Sequence, residues 1–154
     1  MKYALIGCGR ISPNHIVAAQ KNHLEIVAIC DPDEHNMKDK ILKFRLPACV
    51  HCYRDYKEML AQEKPELVAI ATESGKHAQI AIDCMTLGHA NLIIEKPIAL
   101  SLSDADKIIE TAERENLKVC ACHQNRFNKS IQKIREAVEM ERFGRMFHGT
   151  AHIR

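Results

Sequence analysis

The chain has 154 residues, 46% of them apolar, and a formal net charge of +2. That length and apolar content suit one domain with a proper core, and the small charge, scattered without a basic run or interleaved aromatics, excludes a nucleic-acid partner. No apolar stretch approaches the length of a membrane span, and Met1-Lys2 leads into a strand pattern rather than a signal peptide, so a cytoplasmic protein with no membrane contact is expected.

Tyr3–Ile6 is an apolar run short enough for a buried strand. Gly7 and Gly9 allow a tight turn and a close backbone approach, and Ser12-Pro13 sits where a helix should begin, since proline is tolerated in the first helical turn. Strand, Gly-x-Gly turn and helix N-terminus together form a place for a pyrophosphate, with free N–H groups and the positive end of the helix dipole facing the anion. Ser12 stands at the third glycine of this fingerprint and is expected to loosen the helix–strand contact slightly. Leu24–Cys30 is a second buried strand and ends on Asp31, about 20 residues after the turn, where an acid accepts hydrogen bonds from an adenine ribose. The competing role for Asp31 is a turn or helix-capping residue, which Asp-Pro-Asp suits. Asp31, Asp33 and Glu34 would repel a 2′-phosphate, and no Arg or Lys adjoins them in the chain, so NAD is expected rather than NADP.

Further along, His35–Phe44 carries Met37, Ile41 and Phe44 at helical spacing, and Ala48–Cys52 is a short strand. Asp55 caps a helix that turns Tyr56, Met59 and Leu60 inward. Glu66–Ala71 is a third buried strand, ending at Thr72-Glu73-Ser74-Gly75. Lys76–Leu87 is a helix with Ala78, Ala81, Ile82 and Met85 on one face, stopped by Gly88. Ala90–Ile94 is the next strand, closed by Glu95-Lys96-Pro97. Ser103 caps a helix with Ala105, Ile108, Ile109 and Ala112 inward, then come strand Lys118–Cys122 and helix Lys129–Val138. Strands apolar throughout, alternating with amphipathic helices, predict an α/β fold: a doubly wound parallel sheet of the Rossmann type. Phe147–Ile153 differs, alternating apolar and polar residues as a strand with one wetter face does. The division predicted is a dinucleotide-binding domain over 1–144 and, over 145–154, the first strand of a second α+β domain that the chain does not complete.

Ligands bind outside the carboxyl ends of the strands in such a sheet. Gly7–Ser12, Asp31, Thr72–His77 and Glu95–Pro97 converge there, and His123–Asn128 points the same way. Lys96 is held between a buried strand end and a proline, where partial burial would bring its amine towards proton-transfer duty; the alternative is a surface lysine paired with Glu95. His77 either faces the cofactor or is solvated. Arg126 and Asn128 suit an anionic or hydroxyl-rich substrate, with Asn128 also a helix N-cap. The count of seven cysteines is odd. Cys30, Cys84, Cys120 and Cys122 read as small buried hydrophobes. Cys49-Val-His-Cys52 and Cys120-Ala-Cys122-His123 have metal-like spacing, but residues two apart on a strand do not make a Cys-x-x-Cys knuckle, so reduced cysteines and no metal are expected.

Three segments in order, Ala4-Leu-Ile-Gly-Cys-Gly-Arg-Ile, Ala69-Ile-Ala-Thr-Glu-Ser-Gly-Lys-His-Ala and Glu95-Lys-Pro-Ile-Ala, resemble the N-terminal domain of the glucose–fructose oxidoreductase/inositol dehydrogenase (Gfo/Idh/MocA) family over nearly the whole chain. The resemblance implies NAD(P)-dependent oxidation of a sugar or cyclitol hydroxyl. It implies Glu95 and Lys96 as active-site residues that also border the cofactor, Lys96 contacting the reacting hydroxyl. Thr72, Ser74 and His77 would serve the cofactor's ribose and nicotinamide end, with Gly7, Gly9, Arg10, Ile11, Asp31 and Gln124 as further cofactor contacts. Lys96, Arg126 and Asn128 would meet the substrate. Cys122-His-Gln-Asn-Arg-Phe-Asn is similar to the branch acting on nucleotide-linked sugars, such as UDP-N-acetylglucosaminuronate 3-dehydrogenase, which implies the 3-hydroxyl of a UDP-N-acetylhexosaminuronate as the reacting group. The family's second domain, which brings a catalytic His or Asp and the oligomer-forming sheet, is missing, so this chain alone is expected to bind cofactor without turnover and the complete protein to be a homo-oligomer. Two other classes compete: a non-catalytic NAD(H)-sensing module, which would have no need of Lys96, and a methyltransferase-like fold, which leaves Glu95-Lys96-Pro97 unexplained.

Overall fold

The structure is a computed structural model, described over residues 1–150. Six strands, β1 (Lys2–Ile6), β2 (Glu25–Cys30), β3 (His51–Tyr53), β4 (Leu67–Ile70), β5 (Asn91–Ile94) and β6 (Val119–Ala121), form one sheet in the order β3-β2-β1-β4-β5-β6. Every pairing is parallel. The helices between them are α1 (Ser12–Lys21), α2 (Glu34–Phe44), α3 (Tyr56–Glu63), α4 (His77–Thr86) and α5 (Leu102–Arg114). The order reverses between β1 and β4, which opens a crevice at their carboxyl ends, where such sheets take their ligands.

Period-two alternation along β1 divides the core between the two faces. Ala4 and Ile6 join Met59, Leu60, Ile80, Met85 and Ile108 from α3, α4 and α5. Tyr3 and Leu5 join Ile16, Ala19 and Met37 from α1 and α2. Gly88 permits the close approach of α3 to the end of α4, because a Cβ there would lie 2.7 Å from Leu60 Cδ2.

Several elements differ from the sequence expectation. The helix expected to be capped by Ser103 begins two residues earlier: Asp104 N–H donates to Ser101 Oγ at 3.1 Å, so Ser101 is the cap. In that phase Ile108, Thr111 and Ala112 share the buried face, while Ile109, one residue round the helix, is 51% exposed. The strand expected over Ala48–Cys52 starts at His51, because Val50 N–H closes a turn on Pro47 O at 3.0 Å. Cys120 is exposed and Cys122 half-buried rather than both being core.

Met1–Cys122 forms one compact unit and a second begins at His123. In the second unit, a 3₁₀ turn (Gln124–Phe127) leads into α6 (Lys129–Glu139), and Ser130 N–H donates to the Asn128 cap at 2.9 Å. The strand expected over Phe147–Ile153 is not formed over 147–150, and its remaining residues lie outside those described. Among the described residues no helix is long and apolar enough to cross a membrane.

Candidate dinucleotide site

The glycine turn after β1 is fixed by backbone contacts. Gly7 has φ +95°, and a Cβ on it would lie 2.6 Å from the Ala71 carbonyl carbon and 2.8 Å from Thr72 N. Its N–H donates to Cys30 O at 2.8 Å, which ties the turn to β2. Only glycine satisfies both the positive φ and the close approach to β4. Gly9 differs: a Cβ there would meet nothing within 4 Å. The space over Gly9 is open on the side where a pyrophosphate approaches the turn. Ser12 does not loosen this region. It is fully buried, and its hydroxyl donates to Gly9 O at 2.6 Å, bracing the turn against the start of α1. Ile11 precedes α1 without capping it through a side chain, and Pro13 follows in the first turn, so backbone donors at this helix end are left for a ligand.

Asp31 lies at the end of β2 with 9% of its surface exposed. Its Oδ2 accepts from Cys8 N–H at 2.8 Å, and its Oδ1 accepts from Asp33 N–H at 2.9 Å and Asn36 Nδ2 at 3.2 Å. One carboxylate thus ties the glycine turn to α2 and keeps one acceptor site, on Oδ2, for a ribose hydroxyl. The helix cap of α2 is a different residue: Asp33 accepts from His35 N–H at 2.9 Å. Burial, then the nearby Asp55 and Asp31 charges, push the Cys30 thiol up to about 12, and burial with the Asp31 charge also raises Cys8.

A cavity of about 600 Å³ lies over the carboxyl ends of β1, β2 and β4. Gly7, Gly9, Asp31 and Thr72 line it, as do Lys76, within the expected Thr72–His77 segment, and two residues that sequence reasoning missed, Asn36 and Arg54. No basic residue adjoins Asp31 along the chain, yet the fold brings Arg54, just after β3, and Lys76 into the same cavity. Lys76 is paired there with Glu73 at 2.7 Å. The volume is in the range of small-molecule sites, and an open glycine face, a ribose-facing carboxylate and an uncapped helix start fit a dinucleotide.

Arg10, Ile11, Ser74, His77, Glu95 and Lys96 do not line this cavity. Arg10 is exposed and Ile11 packs partly into the core. His77 is fully buried, its Nδ1 2.8 Å from Pro97 O and its Nε2 3.1 Å from Thr72 O. It stands behind the strand ends, joining the loop after β4 to the segment after β5, rather than facing a cofactor. Lys96 is exposed, without the partial burial expected of it, and the Lys96–Pro97 bond is cis. Glu95 turns from its neighbour to His15: Oε1 lies 3.0 Å from His15 Nε2, with both side chains largely buried. Gln124, Arg126 and Asn128 lie in the second unit, and all three are exposed.

Fold and crevice together define a dinucleotide-binding α/β domain. Residues 1–123 match the oxidoreductase family described as GFO_IDH_MocA, NAD-binding Rossmann fold, and the chain belongs to that family. It is 32% identical to D-apiose dehydrogenase of Paraburkholderia graminis, over 99% of this chain and 40% of that protein. It is 25% identical to myo-inositol 2-dehydrogenase of Thermotoga maritima, over 94% of this chain and 42% of that protein. Among solved structures it superimposes on the WlbA dehydrogenase of Bordetella pertussis, determined with NADH and UDP-GlcNAcA, with a TM-score of 0.83 at 29% identity, over 94% of this chain and 43% of that one. The chain therefore spans less than half the length of these relatives.

Proposed function

We propose that this chain is the NAD-binding part of a dehydrogenase that oxidises a hydroxyl of a sugar or nucleotide-linked sugar. NAD, when bound, accepts the hydride that leaves the carbinol carbon. Gly7, Gly9 and the start of α1 hold the pyrophosphate, Asp31 holds the adenine ribose, and Thr72 and Ser74 border the cofactor farther along the crevice. Lys96 Nζ lies at the end of β5 and assists removal of the hydroxyl proton, so that a carbonyl forms as the hydride departs. Glu95, fixed by His15, keeps that strand end in place. The observation that carries this reading is the convergence of the Gly7–Gly9 turn, Asp31 and Thr72 on one cavity, with Lys96 exposed at the end of the strand next to β4. UDP-GlcNAcA in the WlbA complex and the names of the apiose and inositol dehydrogenases support the substrate class. We extend the reading to the 3-hydroxyl of a UDP-N-acetylhexosaminuronate, with Arg126 and Asn128 meeting its anionic or hydroxyl-bearing groups and Gln124 meeting the cofactor. A further domain supplies the remaining substrate contacts and the oligomer interface.

The test is calorimetry of NADH with residues 1–154, followed by NAD reduction by the complete protein with UDP-GlcNAcA, myo-inositol and D-apiose. NADH binding by the chain, and turnover by the complete protein that Lys96→Ala abolishes, is the expected result. NADH binding with no turnover of any hydroxyl compound would favour an NAD(H)-sensing module, and absence of NADH binding would overturn the reading.

A further inference from the structure

At the carboxyl ends of β5 and β6 three side chains from separate elements meet: His15 on α1, Glu95 after β5 and Cys122 after β6. Their ligand atoms, Nε2, a carboxylate oxygen and Sγ, all lie within 4.8 Å of one another. We propose that His15, Glu95 and Cys122 form a three-ligand site for a divalent cation of the zinc class.

Imidazole nitrogen, carboxylate oxygen and thiolate sulfur are the donors that zinc takes, and three protein ligands leave its fourth tetrahedral position for water. The His15 and Glu95 atoms are already 3.0 Å apart, so a cation at bonding distance from both needs only a small outward shift. Charge balance favours it as well. One thiolate, one carboxylate and a neutral imidazole cancel a dication, so the loaded site adds no net charge to a region where His15 and Glu95 are 8% and 14% exposed. On binding, the cation displaces the thiol proton of Cys122, as thiolate ligation requires. None of the three residues lines the dinucleotide cavity, which leaves that cavity open to its own ligand. The site also differs from the one that sequence spacing suggested. Cys49 and Cys52 are exposed, and among the described residues the ligand cluster is built instead on a His and a Glu 80 positions apart.

The experiment is titration of metal-stripped residues 1–154 with Co²⁺, followed by absorbance, and then competition with Zn²⁺. Saturation at one equivalent with a thiolate-to-cobalt charge-transfer band is expected. Cys122→Ser should abolish that band, whereas Cys49→Ser should leave it unchanged. Should Cys122→Ser fail to fold by circular dichroism, His15→Gln is the second variant. It should keep the band and weaken Zn²⁺ about tenfold or more, since even an outer-shell partner is worth that much. No saturable binding of either metal, a band that survives in folded Cys122→Ser or vanishes in Cys49→Ser, or Zn²⁺ affinity unaffected by His15→Gln would each overturn the proposal.

Discussion

The two ends of the crevice are built by different means. Around β1 and β2 the construction is mostly backbone: Gly7 presses on the Ala71–Thr72 peptide, its N–H binds Cys30 O, and Asp31 receives the N–H groups of Cys8 and Asp33. At the end of β5 it relies on side chains. Glu95 is held by His15, His77 reaches the carbonyls of Thr72 and Pro97, and Lys96 projects from the supported segment without burial. A cradle made of backbone is part of the fold, so damage there costs stability along with binding. A lysine presented on a supported strand end can be lost with the fold intact. The contrast separates folding residues from reacting ones.

The sharpest way to break the comparison is at the two glycines. Gly7→Ala combines a side chain at positive φ with a backbone overlap and should cost about 3–5 kcal/mol, read by urea denaturation, with NADH binding lost. Gly9→Ala places its methyl in open space, so the denaturation midpoint should stay within about 0.5 kcal/mol of wild type while NADH affinity falls. Equal destabilisation by the two would mean that the turn is not organised by its contact with β4.

Asp31→Ala should come next, at about 2–4 kcal/mol, because three in-chain donors lose a charged acceptor at a nearly buried position. The same variant should narrow the preference for NADH over NADPH in calorimetry, since Arg54 and Lys76 line the same cavity. His77→Ala removes the imidazole held between the Thr72 and Pro97 carbonyls and should cost about 1–3 kcal/mol of stability. Lys96→Ala should shift the midpoint by no more than about 0.5 kcal/mol while lowering kcat of the complete protein by about 10²–10⁴. A stability loss as large as that of Asp31→Ala would erase the distinction between the two ends. The smallest effect concerns the thiols: in native protein, Ellman's reagent should modify Cys49, Cys52 and Cys120 and leave Cys8, Cys30 and Cys84 unreacted until the chain unfolds.

The sequence by itself determined the alternation of strand and helix, the parallel sheet, the glycine turn and the polar residues closing β2, β4 and β5. All of these rest on short-range regularities: apolar runs of strand length, helical spacing such as Tyr56 to Met59 and Leu60, glycine where φ must be positive, and caps such as Asp55. Boundaries were less legible, as at α5, where Ser103 is the expected cap and Ser101 the observed one, because the choice depends on which helical face meets the sheet. Only the tertiary structure decided that Arg54 and Asn36 share a cavity with Asp31, that Ser12 is a buried brace, that His77 is held between the Thr72 and Pro97 carbonyls, and that His15, Glu95 and Cys122 meet. The physical reason is the crossover connection. Each parallel strand returns to the sheet through a helix, so residues far apart in sequence arrive side by side at the strand ends, and local spacing carries no trace of that adjacency.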